Sequence, residues 1–315
     1  MKAMVAPARS ESERREDLLV CHRILTEGSK SFVTALRLLP KRLHDRSAAI
    51  YAYCRVSDDA VDLGTDVPQE LQRLHQRLDR IYAGHPEPNP VDRSFCDAVH
   101  EIEIPQAIPA ALLDGFAWDA ELRRYQTQLE LEGYCARVAG TVGVMMTLLF
   151  GERSPVLLAR ACDLGLAMQL TNICRDVGED ARAGRVYLPL DWLREAGIDT
   201  DAFLARPEPS PALASVVKRT LALAETYYRR ADGGMALYPR DCRLGSKAAR
   251  LIYAEIGRVV ERNRYDSVTT RAYTSKARKL WLLARALPVM IRPGRIDRSP
   301  PAAAVQFLID AVTGK

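Results

Sequence analysis

The chain has 315 residues, 48% of them hydrophobic and 27% charged, with a formal net charge of +5. That length and balance suit a globular protein with a large core, and they exclude a disordered or collagen-like chain. Seven scattered cysteines, an odd number with no C-x-x-C pair, argue against a disulfide framework or a structural zinc site and for a reducing cytosol.

Along the chain, residues 1–20 are polar, read as a flexible N-terminal segment, and lack the apolar stretch of a signal peptide. Helical periodicity then runs almost throughout. Leu71, Leu74, Leu78 and Ile81 recur three and four apart, and residues 157–174 and 216–228 behave alike. No series of alternating strands appears, so the expected class is all-α. Pro-rich stretches at 84–90 and 205–211 read as loops, with Ser210-Pro211 opening the next helix. The pattern is the same on both sides of each loop, which predicts one helical domain over 21–290 and a C-terminal extension over 291–315. The longest apolar stretch, 142–150, is too short to span a bilayer.

Two acidic stretches carry chemistry. In Tyr51-Ala-Tyr-Cys-Arg55-Val-Ser-Asp58-Asp59-Ala-Val-Asp62, the carboxylates of Asp58 and Asp62 stand one helical turn apart on one face. Like charges at this spacing repel, so a partner is expected: Arg55 on the same face, or a divalent cation. Asp176 and Asp180 repeat the spacing beside Arg175, and Asn172 and Gln169 extend the polar stripe along an otherwise apolar helix. Such a stripe is costly unless it faces water, metal or a charged ligand. A single D-x-x-x-D is most simply a solvated helix face, but two with Arg neighbours are harder to dismiss. Mg²⁺ binds one or two carboxylates together with substrate phosphates. Two acidic helices facing each other across a cavity could therefore hold several such ions against a departing diphosphate. Asp59 and Glu179 point away from these faces and read as carboxylates that either support the ligands from behind or are solvated, rather than as ligands. The five His lack ligand spacing. Gly140 and Gly143 provide either close helix packing or room for a ligand.

The basic residues gather at the C-terminal end: eight between Arg271 and Arg298, against one acid, Asp297. A solvated face, a phosphate site and contact with an anionic membrane are the competing readings; nucleic acid has no accompanying motif. Trp281, Leu282 and Leu283 sit among these charges, as in an interfacial helix or as in a core helix with a basic outer face.

Taken together, Gly165-x-x-x-Gln169-x-x-Asn172-Ile-x-Arg175-Asp176-Val-x-x-Asp180, continuing to Arg185-x-Tyr187-Leu-Pro189, closely resembles the signature of the squalene/phytoene synthase family. Tyr134-Cys-x-x-Val138-Ala139-Gly140-Thr-Val-Gly143 resembles its other diagnostic segment. The stretch from Tyr51 to Asp62 is similar to its first aspartate-rich motif, and Gly28-Ser-Lys-Ser-Phe32 to its N-terminal one. The wording is most similar to bacterial, phytoene-forming members. The resemblance implies a single-domain isoprenoid synthase fold with a central cavity. It implies Mg²⁺, with Mn²⁺ as an alternative, and two geranylgeranyl diphosphates joined head to head through a cyclopropylcarbinyl diphosphate. By the same resemblance Asp58, Asp62, Asn172, Asp176 and Asp180 hold metal. Arg55, Arg175, Gln169, Asn172, Tyr253 and Arg271 meet diphosphate, and Phe32, Tyr51, Tyr134 and Val138 line the pocket. Tyr51 and Tyr134 are also counted with the four aspartates as catalytic.

Farnesyl diphosphate and a thirty-carbon product remain an alternative substrate and product. The lack of a G-x-G-x-x-G fingerprint argues against NADPH. A class I terpene cyclase and a non-catalytic assembly factor are more remote readings. Other enzymes of the carotenoid pathway and the inner membrane face are candidate partners of a cytoplasmic protein.

Overall fold

A computed structural model describes residues 9–28, 30–63 and 66–314, without the side chains of 30–32 and 63. Among the described residues all regular structure is helical. The α-helices are α1 (Glu11–Gly28), α2 (Lys30–Leu36), α3 (His44–Leu63), α4 (Val67–Tyr82), α5 (Pro90–Ile102), α6 (Ala107–Ala120), α7 (Gln128–Cys135) and α8 (Thr141–Leu149). They continue as α9 (Pro155–Arg182), α10 (Leu190–Glu195), α11 (Thr200–Ala205), α12 (Pro211–Asp232), α13 (Arg243–Arg262), α14 (Lys276–Ala286) and α15 (Gln306–Thr313). One turn of π-helix, Ala136–Gly140, joins α7 to α8.

Local chemistry sets several helix starts. Asn89, Ser210 and Ser275 each accept a hydrogen bond from the backbone N–H three residues on, and Pro90 and Pro211 supply a preset φ at the first helical position. On α4 the predicted periodicity buries Leu74, Leu78 and Ile81 along one face.

Helix α9 is the axis of the molecule. Its 28 residues extend about 42 Å. It packs most extensively against α12, and also against α8, α13 and the π turn. Being surrounded, it is apolar on nearly every side. Two glycines decide how closely its neighbours approach. A Cβ on Gly143 would lie 2.6 Å from the Ala161 carbonyl oxygen, and one on Gly165 would lie 2.5 Å from that of Ala139. Both therefore serve helix packing. Gly140 likewise leaves room for the Leu308 side chain of α15.

The first and last described helices are both tied down. Residues 11–20, read above as part of a flexible segment, are helical: Asp17 is buried and paired with Arg9 and Arg93, so α1 is clamped to α5. Within the C-terminal extension Val305, Leu308 and Ile309 are buried, and α15 rests on α9 and α6. The buried Arg160 guanidinium meets Asp163 at 2.8 Å and Asp297 at 3.0 Å, fastening the segment before α15 to the axis. The seven cysteines are free thiols, six of them buried. No helix among the described residues is long and apolar enough to cross a membrane.

Candidate active site

A cavity of about 850 Å³ opens between α3, α8, α9 and α13. Its lining changes character along α9. Ala161, Leu164 and Met168 come first, and Gln169, Asn172 and Arg175 follow. From Ala161 to Arg175 the helix rises about 21 Å. The cavity is thus a long slot, greasy at one end and polar at the other.

Helix α3 brings Tyr51, Arg55 and Asp58 to the slot. A Cβ on Gly28 would collide with the Tyr51 hydroxyl, which accounts for glycine there. Arg55 is held chiefly by Asp59, with Nε 3.0 Å from Oδ2, and reaches Asp58 at 3.5 Å. Of the two readings open for Asp59, support or solvation, the pairing favours support: Asp59 aims the arginine. Asp62 does not line the slot; it accepts a 2.7 Å hydrogen bond from Arg185.

The other wall belongs to α9. Asp176 is held by Arg175 (2.8 Å) and Arg271 (2.9 Å), and both arginines line the slot. Arg271 arrives from the loop after α13 because that loop is clamped onto α9. Gly178 N–H donates to the Ser267 carbonyl at 3.0 Å, Arg182 donates to that of Val268 at 2.6 Å, and a Cβ on Gly178 would strike the Val268 backbone. Asp180 faces a small crevice with Arg185 and Tyr187. Tyr134, Val138, Gln169, Asn172 and Tyr253 all line the slot, whereas the side chain of Phe32 lies outside the described residues.

Asp119 escaped the sequence reading. It stands on α6, lines the slot, and accepts hydrogen bonds from Tyr134 (2.8 Å) and Tyr187 (2.7 Å). Tyr134 and Tyr187 stack with ring centres 5.1 Å apart. One turn earlier, Gly115 lets α6 close on the π turn, since a Cβ there would hit Val138. That approach brings Asp119 to the tyrosines.

The site carries excess negative charge. Burial, then the Asp62 charge, raises Asp58 to about 6. Burial, then Asp176, raises Asp180 to about 7. Burial raises Asp119 to about 6 against the opposing pull of its two tyrosine hydrogen bonds. A carboxyl raised in the fold binds its proton more readily folded than unfolded. It therefore costs stability as pH rises from its unfolded value near 4 through its folded one, and the loss is recovered on acidification. Carboxylates held low by hydrogen bonds or arginines, such as Asp17, Glu255 and Asp266, lose their contribution only below their ordinary range. The metal-free protein is accordingly expected to melt at a higher temperature at about pH 5.5 than at about pH 7.5. Calorimetry checks this: the difference should shrink in Asp58→Asn/Asp180→Asn, and an equal or reversed pair of midpoints in the parent would contradict it.

A divalent cation fits these donors. The Oδ1 atom of Asn172 is buried without a hydrogen-bond partner beside the repelling carboxylates. Among the described residues no three Asp, Glu, His or Cys side chains are placed to hold an ion by themselves. Mg²⁺ commonly takes one or two carboxylates and completes its shell with substrate phosphates and water, which suits carboxylates spread over two walls.

Comparison with known proteins gives a consistent answer. The squalene/phytoene synthase family matches residues 25–278. The phytoene synthase of Rhodobacter capsulatus is 49% identical over 94% of this chain and 89% of its own. The 15-cis-phytoene synthase of a Paracoccus species is 42% identical over 82% of this chain and 87% of its own. Among solved structures, a dehydrosqualene synthase superposes with a TM-score of 0.82 at 31% identity, covering 89% of this chain and 98% of that one. A squalene synthase from Alicyclobacillus acidocaldarius shares the fold, with a TM-score of 0.75 at 23% identity over 81% and 97% of the two chains. The architecture is thus the single-domain, all-α fold of the isoprenoid synthases.

Proposed function

The chain belongs to the squalene/phytoene synthase family, and from that premise we propose that it condenses two geranylgeranyl diphosphates head to head to phytoene. The observation that carries the reading is the slot itself: acidic helices α3 and α9 flank its polar end, and an apolar tunnel lies beyond them.

The residues divide the work. Arg55, Arg175 and Arg271, each aimed by a carboxylate, grip diphosphate oxygens. Asp58, Asp62, Asp176 and Asp180, with Asn172, would hold Mg²⁺, or Mn²⁺ in its place, beside the same groups. The bound cation would neutralise charge developing on a departing diphosphate. Departure leaves an allylic cation, whose carbon bonds to the double bond of the second substrate. Loss of a proton closes the cyclopropane. A second ionisation and rearrangement lead to a cation that loses one more proton to become phytoene. Residues such as Leu164, Met168 and Phe150 keep water from these cations, and the rings of Tyr51 and Tyr134 offer electron-rich faces.

Product identification tests the proposal. The purified protein is incubated with Mg²⁺ and either geranylgeranyl or farnesyl diphosphate, without NADPH, and hydrocarbons are analysed by mass spectrometry. A forty-carbon product from the first substrate is expected. A thirty-carbon product from farnesyl diphosphate alone would move the substrate assignment, and a cyclised monomer would sink head-to-head joining.

A further inference from the structure

Helix α14 carries apolar side chains on its exposed face as well as on its packed one. Ten large hydrophobic side chains are exposed among the described residues, and six of them (Tyr273, Leu280, Trp281, Leu287, Ile291 and Ile296) fall within residues 273–296. Leu280 is 70% exposed, Leu287 55% and Ile291 82%. At 100° per residue, Leu280, Ala284, Ala277 and Trp281 occupy one arc of about 100°. The exposed Lys276 and Arg285 flank that arc on either side. The opposite face, Leu282 and Ala286, packs on Ala248, Leu251 and Ile252 of α13.

This orientation is fixed. The buried carboxylate of Glu255 on α13 binds Arg278 at 3.0 Å, and Arg262 grips the same carboxylate at 2.9 Å. The Arg278 guanidinium in turn lies 3.9 Å from the centre of the Trp281 ring, with Arg285 at 4.8 Å. A helix pinned with Leu280 and Trp281 outward cannot bury them by rolling over.

We propose that the outward face of α14, continued through Leu287 and Ile291, docks on the surface of an anionic lipid bilayer. Charge selects the occupant. From Ser267 to Ile296 the sequence contains no Asp or Glu, while Lys276, Arg285, Arg292 and Arg295 are exposed around the apolar arc. Apolar side chains ringed by basic ones suit the boundary between acyl chains and anionic headgroups. A second copy of the chain would set this basic face against itself, which like-charge repulsion disfavours. The patch also adjoins the slot: Tyr273, Thr274 and Lys279, immediately before and within α14, line the cavity. Docking there would place the slot beside the phase in which long prenyl chains and a forty-carbon hydrocarbon reside. Only this last purpose rests on the function proposed above; the surface argument does not.

Vesicle binding by the full chain tests the inference without substrate, so its outcome is separate from that of the product assay. Sedimentation with phosphatidylglycerol/phosphatidylcholine vesicles at low salt is expected, at least roughly tenfold stronger than with pure phosphatidylcholine and weakened by added salt. Tryptophan emission should shift to the blue on binding, a change lost in Trp281→Phe. Leu280→Glu/Ile291→Glu should lower partitioning by roughly tenfold or more, with circular dichroism and turnover of detergent-dispersed substrate unchanged. Failure of the parent chain to bind anionic vesicles, or equal binding by the double variant, would overturn the proposal. So would concentration-dependent self-association that the same substitutions abolish, since a second copy would then cover the face.

Discussion

Asp58→Asn and Asp176→Asn each lower turnover by about 10³-fold or more while the protein stays folded. Asp58 lines the slot from α3, and Asp176 stands on α9 beside it, paired with Arg175 and Arg271, which line it. Replacing either carboxylate removes a proposed ligand for the cation, and replacing Asp176 also frees Arg175 and Arg271 from their set direction. For Asp58 the stability effect should run the other way. Burial and Asp62 hold its carboxyl near 6, so the neutral amide relieves a repulsion that the metal-free fold tolerates. Steady-state kinetics with geranylgeranyl diphosphate, together with a thermal melt, read both effects. Retention of more than about a tenth of the activity by both variants would return these motifs to solvated helix faces.

Asp119→Asn lowers kcat by about 10- to 100-fold with little change in KM. Asp119 accepts both tyrosine hydroxyls, at 2.8 and 2.7 Å. An amide can accept from only one of the two tyrosines and sets an N–H against the other. It also removes a negative charge close to Asp58 and Asp180, whose carboxyls it helps to raise. A residue that served only to hold the fold would lower the melting temperature and leave the chemical step alone. A kcat-specific loss at an undiminished melting temperature is expected here, and unchanged kcat with a lowered melting temperature would contradict the role.

How far the sequence discloses these features depends on whether a feature repeats. Helical periodicity repeats along every long segment, so the all-α fold and the buried face of α4 were legible. The four-residue spacing of carboxylates occurs twice, so both walls of the slot could be named. Asp119 is a single carboxylate in Phe-Ala-Trp-Asp-Ala, with no spacing to set it apart from a surface residue. Its role depends on Gly115 admitting α6 to the π turn, a contact between segments distant in sequence. The clamp of Gly178 on the Ser267–Val268 backbone is of the same kind, and without it the reach of Arg271 could not be foreseen. For Asp59 helical geometry left support and solvation both open, and its place four residues from Arg55, which it holds, decides for support. The N-terminal ten residues of α1 and its neighbour were misjudged for a related reason. Their polarity suggested flexibility, but Asp17 is buried by ion pairs to Arg9 and Arg93. At α14 the sequence allowed either an interfacial or a core helix, and the fold shows a helix packed on one face with Leu280 and Trp281 exposed on the other.

The central claim is that the two acidic walls hold the two diphosphates of one reaction in a single slot. The most direct measurement is a crystal structure with Mn²⁺ and a non-hydrolysable thio analogue of geranylgeranyl diphosphate, with anomalous scattering used to locate the metal. The account predicts metal density between the diphosphates and Asp58, Asp62, Asn172, Asp176 and Asp180, with both prenyl tails running past Met168 toward Leu164 and Phe150. Metal and diphosphate bound elsewhere, or a single analogue filling the slot at saturation, would contradict it.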